Sequence, residues 1–324
     1  MIRFENVSKS YSPGKPVVSD LTLEINEGEF FVLIGPSGSG KTTTLKMINR
    51  LIPLTTGTIR IQNKPISDYT IHELRWNIGY VLQQIALFPN MTIEENITTV
   101  PEMKKWSKTQ MKERVTELLT SVGLDAESYR HRLPSELSGG EQQRVGVLRA
   151  MAADPDIILM DEPFSALDPI SKKKLQEDVA KLHQQVKKTI VFVTHDMQEA
   201  LKLGDRICIM KEGHVEQIGT PDEICQNPKN EFVREFLQSG NVAVTTSQTV
   251  QTLMAMNHFS TSPLALEETE ALVVTKETSV DDLILALTRF PIVQIIEDST
   301  YLGKITHQDF LAFLSSGIQK GGTD

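Results

Sequence analysis

The sequence predicts an α/β protein built on a largely parallel sheet, with a second, smaller α/β region near the C-terminus. Three observations carry this. The apolar runs in "FFVLIG", "IILMDE" and "TIVFVTHD" each end in glycine or polar residues, as strands buried on both faces do. Amphipathic helical segments separate them, which is the alternation of an α/β fold. Composition then shifts near residue 240 to small and hydroxyl residues before an α/β pattern resumes.

Taken in order, residues 1–34 read as short strands. "IRFENVSKSY" and "LTLEINEGEFFVLIG" alternate apolar residues, and "NEGE" suggests a turn. From Lys41 to Leu51, Leu45, Ile48 and Leu51 recur at helical spacing, and "GTIRIQNKPI" returns to strand. The span 105–155 is helix-rich. In "KTQMKERVTELLTSVGL", Met111, Val115, Leu118 and Leu119 lie near helical spacing, and Gly123 suits the helix end. "IILMDE" is a buried strand ending in two acids, "SKKKLQEDVAKLHQQV" an amphipathic helix, and "TIVFVTHD" another buried strand. The expected organisation is a first domain over 1–237, a linker or partial motif over 238–268, a compact motif over 269–316 and a mobile tail over 317–324.

The length of 324 residues suits two domains. A net charge of −9 argues against nucleic acid as a partner, because such binders carry a basic balance or patch. Cys208 and Cys225 have no metal-ligand spacing and read as reduced thiols. "MIRFENVSKSYSPGK" lacks the apolar core of a secretory signal. No apolar run approaches the roughly 20 residues that cross a bilayer, so work at a membrane would need other subunits.

The chemistry concentrates at strand ends. Gly35, Pro36, Ser37, Gly38, Ser39, Gly40, Lys41 and Thr42 fit the P-loop pattern GxxxxGK[ST], with Thr43 following. Glycines let the backbone wrap a phosphate and present N–H donors, and the next helix aims its positive end at the same anion. Lys41 would neutralise the β- and γ-phosphates, and Thr42 would ligate Mg²⁺. Asp161 and Glu162 end "IILMDE". A first acid there can hold Mg²⁺ through water and a second can deprotonate an attacking water, although two acids after a strand are also commonly just solvated.

"LSGGEQQR", residues 137–144, resembles the signature of the nucleotide-binding subunits of ABC transporters, with Glu141 where glutamine is also usual. The resemblance covers residues 1 to about 237. It implies a P-loop ABC nucleotide-binding domain, with a RecA-like core plus antiparallel β and helical subdomains. It implies a homodimer around two ATPs with Mg²⁺, in which Ser138, Gly139 and Gly140 of one chain meet the ATP on the other chain's P-loop. Tyr11 matches the aromatic that stacks on adenine. Gln83 in "YVLQQ" matches the glutamine that touches Mg²⁺ and faces the membrane subunit. Asp168 in "SALD" matches the D-loop, where it can also cap the following helix. His195 in "VTHD" matches the histidine that contacts the γ-phosphate. Catalysis would then rest on Glu162 as base with His195, Lys41 and Gln83, and Mg²⁺ on Thr42, Gln83 and Asp161. The partners implied are an integral-membrane permease and a substrate-binding protein or domain, at the cytoplasmic face of the cell membrane.

"NIGYVLQQIALFPNMTIEENI", "RVGVLRAMAADPDIILMDEPFSALDPI" and "KTIVFVTHDMQEALKLGDRICIMKEGHVEQIGTPDEI" resemble a narrower group, the osmoprotectant or quaternary-amine importers of glycine betaine, carnitine and choline. Leu87, Phe88 and Met91 look exposed and suit a groove for a permease helix. "PIVQIIEDSTYLGKITHQDFLAFL" resembles the second half of a CBS motif, and "TKETSVDDLILALTRF" its first strand and helix. Such motifs normally pair and often bind adenosine-type nucleotides, so either two chains pair single motifs or a remnant completes the fold. The motif would then bind a regulatory nucleotide or only brace the dimer. Other readings are an importer ATPase for another small solute, an exporter half, a soluble ABC ATPase outside transport, and a regulatory module whose ATPase is vestigial.

Overall fold

The computed structural model describes residues 1–12, 14–240, 250–255, 258–261, 272–278, 280–297 and 300–318. The chain divides into two compact units, Met1–Val244 and Thr245–Asp324.

The first unit holds two sheets. One is antiparallel, with β1 (Ile2–Ser12), β2 (Lys15–Ile25), β4 (Thr56–Ile61) and β5 (Lys64–Pro65) in the order β2-β1-β4-β5. The other contains β3 (Phe30–Ile34), β6 (Ile78–Val81), β7 (Ile157–Asp161), β8 (Thr189–Thr194), β9 (Arg206–Lys211) and β10 (His214–Gly219). Its order is β10-β9-β3-β8-β7-β6, parallel except for the antiparallel edge β10. The helices of this unit are α1 (Lys41–Ile48), α2 (Ile71–Trp76), α3 (Ile93–Met103), α4 (Lys108–Ser121), α5 (Ala126–Tyr129), α6 (Gly139–Met151), α7 (Pro169–Val186), α8 (Met197–Leu203), α9 (Pro221–Gln226) and α10 (Glu231–Ser239).

The β3 strand explains why its sequence is apolar throughout. Phe30, Val32 and Ile34 enter a core shared with the helices, including Val145 and Leu148 of α6. Phe31 and Leu33 point to the other face and join Ile2 and Phe4 of the antiparallel sheet and Leu45 of α1. All five are buried, and burying each such side chain is worth roughly 1.5–3 kcal/mol. The strand that delivers the glycine loop is therefore clamped between two cores.

The second unit has β11 (Leu272–Val274) parallel to β12 (Ile292–Glu297), which is antiparallel to β13 (Thr300–Thr306). Its helices are α11 (Val250–Ala255), α12 (Val280–Arg289) and α13 (His307–Ile318). Val250 and Leu253 are fully buried with Leu283, Val293 and Ile305. Residues 250–255, part of the expected linker, are thus a helix with an apolar face in this core. Most of the rest of that linker lies outside the described residues, as does the expected tail beyond 318.

Candidate active site

The loop after β3 turns back on itself to meet α1. Gly40 has φ 98°, and a Cβ there would stand 2.7 Å from the Val17 carbonyl oxygen, so only glycine fits. Lys41 opens α1 and folds its side chain into the loop. Its Nζ donates to the Gly35 and Pro36 carbonyls, both at 2.8 Å, and to Ser39 Oγ at 3.4 Å. These three acceptors are neutral. Burial pulls the Lys41 pKa below its ordinary value, and the Glu162 and Asp161 carboxylates act in the opposite direction. A largely buried ammonium whose bonded acceptors are all neutral, at a helix N-terminus, is a site for an anion.

Three more elements bring acids and a histidine to the loop. The neighbouring ends of β7 and β8 present Asp161, Glu162 and His195, while Gln83 follows β6. Asp161 is 3% exposed. Its Oδ1 accepts from Thr42 Oγ1 at 2.8 Å, and its Oδ2 lies 3.4 Å from Lys46 Nζ and accepts from the Tyr80 hydroxyl at 3.3 Å. Glu162 Oε2 accepts from His195 Nδ1 at 3.1 Å and from Gln83 Nε2 at 3.4 Å. Because a carboxylate accepts there, the His195 proton is on Nδ1 and Nε2 is left for other partners. Glu162 takes a left-handed backbone, φ 44°, held by its N–H to the Val193 carbonyl at 3.0 Å and by Ser165 on its own carbonyl. Strain of this kind persists where surrounding bonds enforce it and is common at reactive positions.

A cavity of about 430 Å³ opens over this cluster. Ser37, Gly38, Gly40, Lys41, Thr42 and Thr43 line one side, and Gln83, Glu162 and His195 the other. Gly35, Pro36 and Ser39 sit behind, as the acceptors of Lys41. The Thr42 hydroxyl, Asp161 and the Gln83 amide form a hard oxygen set that suits Mg²⁺, with the Glu162 carboxylate beside it. Val17, Lys46 and Tyr80 also belong to the cluster, and the motif pattern did not select them.

The other expected residues lie elsewhere. Tyr11 is 60% exposed near the end of β1, with Lys9 Nζ 4.9 Å over its ring. Ser138 caps α6 and Gly139 and Gly140 begin it, outside the cavity. Asp168 caps α7, accepting from the Ile170 and Ser171 N–H groups at 3.1 and 3.0 Å.

Residues 18–165 match the profile of the ABC transporter family. The choline transport ATP-binding protein OpuBA of Bacillus subtilis (strain 168) is 47% identical over 98% of this chain and 86% of that relative. The chain belongs to the ATP-binding subunits of ABC transporters. The carnitine transport ATP-binding protein OpuCA of Listeria monocytogenes is 50% identical, over 88% of this chain and 72% of its own. A dimeric ATP-binding cassette solved in a post-hydrolysis state with ADP and Pi is 37% identical, with a TM-score of 0.61 over 68% of this chain and 99% of that one. This chain is accordingly an ATP-hydrolysing ABC subunit that uses ATP with Mg²⁺. Among its described residues no helix is long and apolar enough to cross a membrane.

Two networks brace this ABC ATPase, one beside the cavity and one at the start of α6. Lys172 of α7 reaches Asp196 Oδ2 and buried Glu199 Oε1, both at 2.7 Å, and so ties α7 to the residues flanking His195. Lys172→Met leaves two close carboxylates without their cation. We expect it to cost about 3 kcal/mol in urea unfolding, and an unchanged midpoint contradicts this assignment. At the start of α6, Glu141 accepts from Tyr129 at 2.6 Å and from Ser138 Oγ at 2.7 Å. The Tyr129 hydroxyl first, and Ser138 second, pull its pKa down to about 2. A depressed carboxylate contributes stability that is complete above its unfolded value of 4.5 and is lost as pH falls toward 2. Tyr129→Phe should raise the Glu141 value in a carboxyl NMR titration, and an unmoved titration refutes it.

Beside the ATP cavity lies an apolar groove of about 410 Å³. Trp76, Tyr80, Leu82, Phe88 and Val100 line it, with Arg75 and Arg149 also present. Arg149 is fixed by its bond to the Ala86 carbonyl at 2.7 Å. Phe88 and Met91 are exposed as expected, but Leu87 turns inward against the helical core.

Proposed function

We propose that this ABC ATPase energises uptake of a quaternary-amine solute such as choline, carnitine or glycine betaine through a separate permease supplied by a substrate-binding protein. The observation that carries the reading is the similarity to the choline and carnitine transport subunits, which extends over most of the chain.

The geometry supports the following residue roles. Lys41 and the loop N–H groups bind the phosphates, while Thr42, Asp161 and Gln83 hold Mg²⁺. The metal supplies charge neutralisation for the β- and γ-phosphates. Glu162, oriented by His195 and Gln83, takes the proton of a water that attacks the γ-phosphorus as the bond to the β-phosphate oxygen breaks. His195, which lines the same cavity, is the γ-phosphate sensor of this reading. Ser138, Gly139 and Gly140 lie outside their own chain's cavity, which supports their serving a second copy, with Tyr11 stacking on adenine and Asp168 shaping the dimer contact. Closure of two chains then traps two ATPs, and their hydrolysis to ADP and phosphate lets the chains part.

The apolar groove beside Gln83 suits a short helix from the permease, which would hold the subunit at the cytoplasmic face of the membrane. The domain plan we retain is an ATPase over 1–237 and a CBS-like motif over 269–316. The succession of β11, α12, β12, β13 and α13 supports that motif, and it is a candidate site for a regulatory nucleotide.

The test is ATPase activity of the complex purified with its permease and binding protein, challenged with choline, carnitine, glycine betaine and related trimethylammonium solutes. Stimulation by one or more of them supports the reading. Stimulation only by an unrelated solute overturns the substrate class and leaves the ATPase mechanism in place.

A further inference from the structure

One side chain belongs to both the groove and the ATP cluster. Tyr80 lies on edge strand β6, in register with Leu159 of β7. Its residue lines the apolar groove with Trp76, Leu82 and Phe88. Its hydroxyl donates to Asp161 Oδ2 at 3.3 Å. Asp161 is the carboxylate that also takes Thr42 on its other oxygen. On the opposite face of this strand the packing is tight, since a Cβ on Gly79 would stand 2.2 Å from the Ala150 carbonyl oxygen of α6.

We propose that Tyr80 is a positioning residue that couples occupancy of the groove to the orientation of Asp161, and thereby to Mg²⁺ at the ATP site. The inference rests on the reading of the groove as the permease's docking site. Tyr80 packs against the core that holds Ile78 and Leu159 and also borders the open groove. An occupant takes away that open space and restricts the ring, which keeps the hydroxyl on Asp161. Coupling of this kind is reciprocal, so Mg²⁺ and nucleotide at the cavity must also bias the groove side of Tyr80. Gln83 works from a loop after the strand, whereas Tyr80 works from within the sheet.

Tyr80→Phe keeps the ring in the groove and removes only the donor. In the full-length subunit, binding of a non-hydrolysable ATP analogue is measured with Mg²⁺ and again in EDTA. We expect the Mg²⁺-dependent gain in affinity to fall by about tenfold or more, as for one lost bond to a charged acceptor, with the EDTA value unchanged. Trp76 gives a second readout. With Trp106 replaced by Phe, Trp76 is the sole tryptophan, and its emission should respond to Mg²⁺ with the analogue in the Tyr80 chain and not in the Tyr80→Phe chain. In the permease complex, Tyr80→Phe should lower the stimulation of ATPase by the permease while the permease still co-purifies. If the Phe variant melts early without nucleotide, Tyr80→Met removes the same donor.

A full Mg²⁺-dependent gain in both variants overturns the inference, as does loss of that gain with undiminished permease stimulation. Retention of the permease by the double variant Trp76→Ala, Phe88→Ala overturns the docking reading instead. The effect of Tyr80 on Mg²⁺ binding in the isolated subunit stays measurable in that case, so the two failures are distinct.

Discussion

Glu162→Gln should stop turnover while nucleotide binding survives. The amide can still take the His195 Nδ1 proton donor on its oxygen, so the local arrangement is kept. It cannot take a proton from water at neutral pH. Loss of a positioned general base costs about 10²–10⁴-fold, and phosphate release should fall by at least that range's lower end. ATP affinity should change little, because in the proposed mechanism Glu162 serves the attacking water and Lys41 the phosphates. The same variant should accumulate as an ATP-dependent dimer in size exclusion, since hydrolysis is what releases the two chains. Turnover near the unaltered rate removes Glu162 from the role of base.

Lys41→Met should do the reverse, with nucleotide binding lost and the fold kept. The ammonium is buried and bonded to two carbonyls and a hydroxyl, so without nucleotide it gains little from its position. Methionine fills similar space at a modest cost. In the proposed mechanism Lys41 meets phosphate oxygens when ATP is present, and bonds to charged groups are worth about 1.5–3 kcal/mol each. Two such bonds correspond to a loss of about 10²-fold or more in affinity. Calorimetric titration with ATP should show that loss, and the melting temperature without nucleotide should stay within a few degrees. A large drop in that temperature contradicts the account of Lys41 as a phosphate ligand held in waiting.

The site was legible where its chemistry is contiguous. The loop from Gly35 to Thr43 must wrap one anion, so its residues are consecutive and their spacing reads directly. The pair Asp161 and Glu162 reads as a strand end. Bringing Glu162, His195 and Gln83 to one point depends on the order β8-β7-β6, because adjacent parallel strands deliver their ends to one edge. No local pattern states that order, and here it was reached through resemblance. Tyr80 and Lys46 escaped notice for a related reason. Each acts through Asp161, far away in the sequence, and a tyrosine in a strand or a lysine in a helix carries no signal of its own. Lys172 belongs with them, since its partners are on α8 and its cap. In the second unit, α11 is short and lies among serines and threonines, so its Val250 and Leu253 face had no periodic run to announce it. Leu87 departs from the expected exposure because a single loop residue between exposed neighbours carries no local signal of its burial.

The most direct test of the central claim is uptake of labelled choline, carnitine or glycine betaine by vesicles that carry the permease and binding protein, with ATP supplied on the ATPase side. The account predicts uptake that needs ATP, is driven by the unaltered subunit, and is abolished by Glu162→Gln although that variant still binds ATP. Uptake that persists with Glu162→Gln, or an active complex that moves none of these solutes, contradicts it.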